Sequence, residues 1–275
     1  MSDTEEDHPI SAEHSLPGVG GPKPGLASRL HFVWFVFWGI VLTIPLAALQ
    51  VVTHVFRPTA RNFKVWSGLW GRSILTFAGV RVSVEEDVAL YPDKPCIFIA
   101  NHQNLLDILA FAGYLPYPFG FVAKQELARV PMLGLAIRNS ASVFLDRSDP
   151  RKAIESLKKA GERIRSGMSV LLYPEGTRAY RPVLLPFKKG AFLLAIEAGV
   201  PVVPVVMVDG YRLMNEKEKA SRPGHVTIRM LTPIDIEGAT RKDIPEIMER
   251  LREVMDEPLQ HHRRQLLSSA HPPLD

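Results

Sequence analysis

The chain has 275 residues, 46% of them hydrophobic, and a formal net charge of +4. This hydrophobic fraction is ordinary for a globular chain and excludes a polytopic membrane protein. No run of Lys and Arg is dense enough to indicate nucleic-acid binding, whereas a mildly positive charge suits an anionic membrane surface or substrate. The single cysteine, Cys96, excludes an internal disulfide and is interpreted as a small buried strand residue.

Residues 1–29 are rich in Pro, Gly, Ser and acidic residues and show no apolar periodicity. This composition predicts a disordered tail. The acidic run Glu5-Glu6-Asp7 argues against a signal peptide, because such a peptide begins with a basic segment.

Residues 30–56 contain no Asp, Glu, Lys or Arg and are long enough to cross a bilayer as a helix. The alternative, a buried core helix, is disfavoured because so few polar residues interrupt the run. Arg57 and Arg61 follow closely, which predicts that this end and the domain after it lie on the cytoplasmic side of a membrane.

Residues 63–80 form a second apolar stretch, interrupted by Lys64 and Arg72. Its spacing predicts an amphipathic helix with interfacial tryptophans, Trp66 and Trp70. Residues 30–80 are therefore predicted to be membrane-associated helices. Two geometries remain open: the first helix spans the membrane, or the two helices form a hairpin inserted in one leaflet.

From residue 81 onward, short apolar runs typical of strands alternate with helical patterns. This alternation indicates an α/β domain, residues 81–275, with a mixed, largely parallel sheet flanked by helices. A last amphipathic helix is expected at 243–260. The predicted strands lie at 81–84, 96–100, 118–122, 142–145, 169–173, 202–208 and 225–231, and the helices between them at 104–114, 150–166 and 187–198.

The first candidate site follows directly on the apolar strand at 96–100. His102 lies at the expected strand-to-helix turn and Asp107 lies in the helix, a location typical of active sites in α/β sheets. Such a turn can bring the carboxylate back to the imidazole, where it would orient the ring and stabilise the imidazolium. The pair therefore predicts a general base for an alcohol nucleophile. Asn101 or Asn104 is a candidate cap of the helix.

The second candidate site is the run Pro174-Glu175-Gly176-Thr177-Arg178, which follows another apolar strand. Pro174 and Gly176 predict a tight turn that exposes backbone amides. Arg178 suits a phosphate because its planar guanidinium can bind two oxygens. The alternative interpretation is an ordinary turn with a surface ion pair.

Two further cations belong to a third set. Lys124 and Arg147 follow predicted strands, so we expect them at the same edge of the sheet as His102 and Arg178. Three cations around one histidine fit an anionic substrate headgroup, whereas each one singly would be an ordinary surface charge. No group of His and Cys has the spacing of a metal site, so no metal is expected.

Together these motifs resemble those of the glycerolipid acyltransferase family, specifically the 1-acylglycerol-3-phosphate acyltransferases. The likeness covers residues 94–208, and one departure is Ala179, where the third motif of the family often continues with Ser. In chain order, the four matching motifs are Asn101-His102 with Asp107, then Lys124 with Leu127, Gly134 and Arg147, then 174–178, and last the apolar segment 200–205.

The resemblance implies an acyltransferase catalytic domain at 81–275 that moves a fatty acyl group from acyl-CoA or acyl-carrier-protein to the free hydroxyl of lysophosphatidic acid. It implies that His102 and Asp107 are catalytic, that the cations hold the phosphate and that Glu175 positions the glycerol part. The donor is a substrate, and no cofactor is implied. Because acceptor and product are membrane phospholipids, the enzyme is expected at the membrane. The residues implied in substrate binding are Lys124, Arg147, Glu175, Gly176, Thr177 and Arg178.

Three alternatives accompany this interpretation. A related acyltransferase with another acceptor (glycerol-3-phosphate, another lysophospholipid or an acylated amino acid) shares the motifs and stays open. A lipase or thioesterase is disfavoured because the chain lacks a Gly-x-Ser-x-Gly elbow. A non-catalytic lipid-binding protein is disfavoured because His102, Asp107, Glu175 and Arg178 are all present.

Overall fold

The computed structural model describes residues 21–57, 59–87, 94–130, 133–140, 142–145 and 149–270. Residues 1–20 of the predicted tail lie outside the described residues, as does Arg147. The helices are α1 (Leu26–Phe56), α2 (Ala60–Phe77), α3 (Leu106–Tyr114), α4 (Leu133–Arg138), α5 (Pro150–Arg165), α6 (Lys189–Ala198), α7 (Gly210–Leu213) and α8 (Ile244–Ala270). The strands are β1 (Val80–Glu86), β2 (Ile97–Ala100), β3 (Gly120–Lys124), β4 (Val143–Leu145), β5 (Val170–Leu172), β6 (Val202–Val208), β7 (Met214–Asn215), β8 (Ala220–Ser221) and β9 (Gly224–Met230).

Seven strands form one sheet in the order β1-β9-β6-β2-β5-β3-β4, and β7 pairs with β8 separately. The five strands from β6 to β4 run parallel, β9 is antiparallel to β6, and β1 is parallel to β9 at one edge. Each of the seven predicted strands overlaps one strand of this sheet. The predicted mixed, largely parallel sheet is therefore confirmed.

Helices cover both faces of the sheet at its centre. In β2, Ile97 and Ile99 pack with apolar residues of α5, α6 and α8, whereas Phe98 and Ala100 pack with those of α2 and α3. The strand reads as an unbroken apolar run because a central parallel strand meets helices on both sides. His102, two residues beyond β2, therefore lies at the carboxyl edge of the sheet centre.

Helix α1 begins at Leu26, four residues before the predicted start, because Ser28 Oγ accepts the Gly25 N–H at 2.9 Å and satisfies a free donor at the helix N-terminus. Within the described part of the chain, α1 is the one helix long and apolar enough to cross a membrane, and little of it is buried. Large apolar side chains are exposed along its length, including Leu30, Val33, Phe37, Ile40, Val52 and Phe56.

Both halves of α1 contact the α/β domain. His31 Nδ1 lies 2.7 Å from Ser221 Oγ in β8. Gln50, a buried polar residue of this apolar helix, donates from Nε2 to Asn139 O directly after α4, at 2.7 Å. Residues 31 and 50 are about 28 Å apart along a helix that rises 1.5 Å per residue. Helix α1 thus lies along the surface of the domain.

Helix α2 packs closely on α3. A Cβ on Gly71 would lie 2.8 Å from Gly113 N, so the two helices approach at a distance that only glycine allows. Lys64 Nζ donates to Ala112 O at 3.0 Å and Arg72 Nε donates to Gly113 O at 2.7 Å. Both cations from α2 therefore complete the C-terminus of α3, where free carbonyls and the helix dipole favour positive charge.

Helix α8 continues ten residues beyond the predicted end at 260. Its earlier turns pack Leu251, Met255 and Leu259 against the sheet. In the extension, His262 Nε2 lies 2.7 Å from Asp209 Oδ1, directly after β6. The prediction ended early because the apolar periodicity stops there and a polar contact replaces it.

Candidate active site

His102 and Asp107 form a pair at the carboxyl end of β2. His102 Nδ1 lies 2.8 Å from Asp107 Oδ2. The Asp107 side chain is fully buried, whereas 11% of the His102 side chain is exposed. The carboxylate holds the ring through Nδ1 and leaves Nε2 for proton transfer. The predicted approach of this carboxylate to the imidazole is thus present.

The catalytic loop (residues 101–105) folds over the N-terminus of α3. Asp107 Oδ2 also accepts the backbone N–H groups of Gln103 at 2.5 Å and Asn104 at 2.9 Å. Asn104 Oδ1 accepts the Leu106 N–H at 2.9 Å, which satisfies a free donor in the first turn of α3, whose N-cap position is Leu105. Three donors therefore converge on one carboxylate oxygen and fix its position beside the ring.

Buried side chains tie the catalytic loop to β6 and to the segment that follows it. Asn101 exchanges two hydrogen bonds with the backbone of Met207, at 2.7 and 3.1 Å. Asn104 Nδ2 donates to Gly210 O at 2.7 Å, and Gln103 Oε1 accepts a backbone N–H of α7 at 3.0 Å. These roles were not predicted from the sequence, because the partners lie more than 100 residues further along the chain.

Tyr173, the residue after β5, stacks on the His102 imidazole with ring centroids 3.9 Å apart and planes 15° from parallel. Because β5 pairs in parallel with β2, the residue after one strand lies beside the loop after the other. The Tyr173 hydroxyl is buried without a hydrogen-bond partner among the described residues. Burial, followed by the nearby Asp107 charge, raises the pKa of Tyr173 well above its usual range. No role of Tyr173 was predicted from the sequence, although an aromatic residue at a strand end was the available signal.

Glu175 links the backbone of the catalytic loop to that of Leu185. Its Oε1 accepts the His102 N–H at 2.8 Å and its Oε2 accepts the Leu185 N–H at 2.9 Å. Burial raises the pKa of Glu175 to about 7, against the lowering effect of these two hydrogen bonds. Glu175 was expected to position the glycerol part of the substrate. That role stays a prediction; in the structure both of its oxygens accept backbone N–H groups, one of them from His102.

The turn at Gly176 places Arg178 beside the catalytic loop. Gly176 has φ +69°, in the left-handed region that favours glycine. Arg178 Nη1 lies 2.8 Å from Glu216 Oε1, and about a third of the Arg178 side chain is exposed. The Ala179 N–H donates to His102 O at 2.8 Å. The turn is therefore bonded directly to the loop, and its arginine is already held by a carboxylate.

The remaining predicted substrate residues are less fully described. Lys124 ends β3, and parallel pairing places that strand end at the same edge of the sheet as His102. Its side chain and the whole of Arg147 lie outside the described residues. Thr177 is exposed on the turn. Among the residues that the structure describes, no group of three or more His, Cys, Asp or Glu could hold a metal ion.

Known proteins resemble this chain in both sequence and fold. A family profile described as Acyltransferase matches residues 80–208. Human 1-acyl-sn-glycerol-3-phosphate acyltransferase beta is 35% identical over 198 residues, which cover 72% of this chain and 71% of that protein. The 1-acyl-sn-glycerol-3-phosphate acyltransferase of Saccharomyces cerevisiae is 40% identical over 179 residues, 64% of this chain and 58% of that protein.

A solved structure extends the likeness to the fold. The crystal structure of the 1-acyl-sn-glycerophosphate (LPA) acyltransferase PlsC from Thermotoga maritima superposes with a TM-score of 0.74 at 26% identity, covering 86% of this chain and 97% of that chain. The family profile and the fold thus define an acyltransferase, with which the buried His102–Asp107 pair is consistent. Within that class, the chain belongs to the family of the 1-acyl-sn-glycerol-3-phosphate acyltransferases.

Proposed function

We propose that this chain is a 1-acyl-sn-glycerol-3-phosphate O-acyltransferase that transfers a fatty acyl group from acyl-CoA or acyl-carrier-protein to lysophosphatidic acid, forming phosphatidic acid. The observation that carries the proposal is the His102–Asp107 pair, 2.8 Å apart at the carboxyl edge of the sheet. Relatives with this named activity, at 32–40% identity, support the choice of acceptor.

The proposed reaction needs one proton acceptor and no cofactor. His102 Nε2 takes the proton of the acceptor hydroxyl while its oxygen forms a bond to the thioester carbonyl carbon. Asp107, which is hydrogen-bonded to His102 Nδ1, stabilises the imidazolium that results. The tetrahedral oxyanion then collapses, the C–S bond breaks, and the imidazolium returns its proton to the leaving thiolate. The site is thereby restored for the next acyl transfer.

Of the three proposed phosphate ligands, Arg178 is the one whose side-chain surroundings the structure describes. The exposed third of its side chain and its position beside the catalytic loop support this role. Its present partner, Glu216, has its pKa raised above the usual range, first by burial. Glu216 is therefore more easily neutralised when a phosphate takes its place. We assign Lys124 and Arg147 to the same phosphate, with Gly176 and Thr177 forming the adjacent turn.

The membrane attachment that we propose is a hairpin of α1 and α2 in the cytoplasmic leaflet. A helix that crossed the bilayer would leave the domain at one end, whereas α1 contacts it through both His31 and Gln50. The exposed apolar side chains of α1 then face lipid, as in interfacial helices. This arrangement holds the site beside its lipid acceptor and open to a donor from the cytosol.

The test is acyl transfer from labelled acyl-CoA to a panel of acceptors by the purified wild type, His102→Ala and His262→Ala. His262 is the matched control, because it also contacts an aspartate, Asp209, but lies outside the catalytic loop. We expect His102→Ala to abolish transfer and His262→Ala to retain it. Substantial activity of His102→Ala would exclude His102 as the general base. A preference for glycerol-3-phosphate or another lysophospholipid would identify the related acyltransferase with a different acceptor.

A further inference from the structure

The β3–β4 connection, described at residues 125–130, 133–140 and 142, exposes apolar side chains that neither the chemistry nor the two membrane helices account for. It contains a 3₁₀ helix, Gln125–Arg129, followed by α4. Leu127, Val130 and Leu135 are 37%, 41% and 45% exposed. Among the described residues, every other exposed large apolar side chain lies in α1 or α2. Exposed apolar groups gathered in this way indicate an interaction surface.

This surface is continuous with the membrane helices. The C-terminal half of α1 packs on α4, and Gln50 Nε2 donates to Asn139 O at 2.7 Å. The neighbouring Ala47 is buried at the same contact region of α1. On its other faces α1 exposes Leu49, Val52 and Val55 to the surroundings. Because α4 packs on this half of α1, the β3–β4 connection lies next to the part of α1 that exposes apolar residues.

The two parts of the connection are held together as one unit. A Cβ on Gly134 would lie 2.5 Å from Ala128 O, so α4 approaches the 3₁₀ helix at a distance that only glycine allows. Arg138 Nη2 adds a hydrogen bond to the same Ala128 carbonyl at 3.0 Å. Gly134 and Leu127 both belong to the second motif, which the proposed chemistry otherwise explains only through its cations. The motif thus has a structural part as well.

The connection also lies at the edge of the sheet that carries the site. It leaves β3 at Lys124, and parallel pairing through β5 to β2 places the end of β3 at the same edge as His102. An apolar surface here is next to the catalytic edge. A lipid acceptor that moves from the leaflet to His102 along this side keeps its acyl chain away from water.

We infer that the β3–β4 connection is a third membrane-inserting element, which places Val130 and Leu135 in the same leaflet as α1 and α2 and forms the side from which the lipid acceptor enters. The entry of the acceptor rests on the proposed function, and the shared leaflet rests on the proposed attachment of α1 and α2. Arg129 and Arg138 flank the apolar residues and suit the level of anionic headgroups.

Insertion is tested with a fluorescent label that reports its surroundings. The single native cysteine, Cys96, is buried and its pKa is raised to about 11 by that burial, so a maleimide dye labels an introduced cysteine selectively. Leu135→Cys carries the dye, and Arg250→Cys, exposed on α8, is the matched control. With vesicles that contain brominated phosphatidylglycerol, we expect quenching at 135 and none at 250. If the label at residue 135 is not quenched and its emission wavelength does not shift, the inference is overturned.

Entry of the acceptor is tested with the double variant Val130→Ser/Leu135→Ser. The assays compare long-chain lysophosphatidic acid in vesicles with a short-chain form that is monomeric in water. We expect the acceptor KM to rise about tenfold in vesicles and to stay unchanged for the short-chain acceptor. An equal rise in KM for both acceptors, or no rise for either acceptor, contradicts the inference. If the wild type acylates neither acceptor, the proposed function fails, and the quenching result alone decides whether the connection inserts.

Discussion

Glu175 Oε1 accepts the backbone N–H of His102 at 2.8 Å, so a residue of the third motif holds the backbone of the first. The other carboxylate oxygen binds the Leu185 N–H. A buried carboxylate in this position costs solvation free energy that two hydrogen bonds only partly offset. The carboxyl group of Glu175 therefore fixes the loop that presents the imidazole at the expense of its own solvation.

The raised pKa of Glu175 predicts a specific dependence of stability on pH. Burial raises it from 4.5 to about 7, so the folded protein binds this proton more tightly than the unfolded chain. The resulting stabilisation is fully present below pH 4.5 and is lost as the pH rises through 7, in total about 3 kcal/mol. We expect the free energy of unfolding of the wild type relative to Glu175→Gln to fall between pH 5 and pH 8.

Denaturant unfolding in detergent measures this difference at each pH. Glu155→Gln is the control, because Glu155 is an exposed carboxyl of α5 whose hydrogen bond to Lys159 lowers its pKa. The free energy of unfolding of the wild type relative to Glu155→Gln should not fall between pH 5 and pH 8. A difference between wild type and Glu175→Gln that is constant with pH would mean that Glu175 is ionised throughout.

Tyr173 is predicted to act on His102 through its ring face and not through its hydroxyl. Tyr173→Phe keeps the stacked ring and removes a buried hydroxyl without a partner, so we expect near-normal kcat and stability equal or higher by about 1 kcal/mol. Tyr173→Leu removes the flat surface, and we expect kcat to fall about tenfold with little change in acceptor KM. Steady-state kinetics of both variants test this prediction. Equal kcat values for Tyr173→Phe and Tyr173→Leu would exclude a role for the stacked ring.

Gly210 is predicted to be required for the position of Asp107. A Cβ there would lie 2.9 Å from Gln103 Oε1 and 3.2 Å from Asp107 Oδ1. We expect Gly210→Ala to lower the free energy of unfolding by about 1–3 kcal/mol and to reduce kcat at least about tenfold by displacing the carboxylate. Gly190→Ala in α6 is the control, because its Cβ would meet nothing within 4 Å. Similar losses in both variants would point to a general effect of the added methyl group.

Arg178 is predicted to bind the acceptor rather than the donor. Loss of a guanidinium–phosphate contact should raise the acceptor KM about tenfold or more in Arg178→Ala, with the KM of acyl-CoA nearly unchanged. Arg250→Ala, an exposed arginine of α8, should change neither value. Equal increases of both KM values in Arg178→Ala would contradict the assignment to the phosphate.

The elements around the site were predictable because they follow from neighbouring residues. Apolar runs such as 96–100 and 202–208 predicted central strands, and the structure has strands there. The polar residues directly after β2 then predicted a His–Asp pair, because His102 and Asp107 are five residues apart and one turn brings them together. Helix ends were less predictable: α8 continues to Ala270 through a contact with Asp209, distant in sequence.

The roles of Glu175, Tyr173 and Gln50 were decided only by the tertiary structure. Periodicity and motif order identify which residues are present and which face of a helix or strand they occupy. They do not specify that Glu175 binds the backbone of His102, 73 residues earlier, or that Gln50 holds α1 along the domain through Asn139. Such contacts depend on how strands and helices far apart in the chain pack together, and local sequence preferences carry no information about that packing.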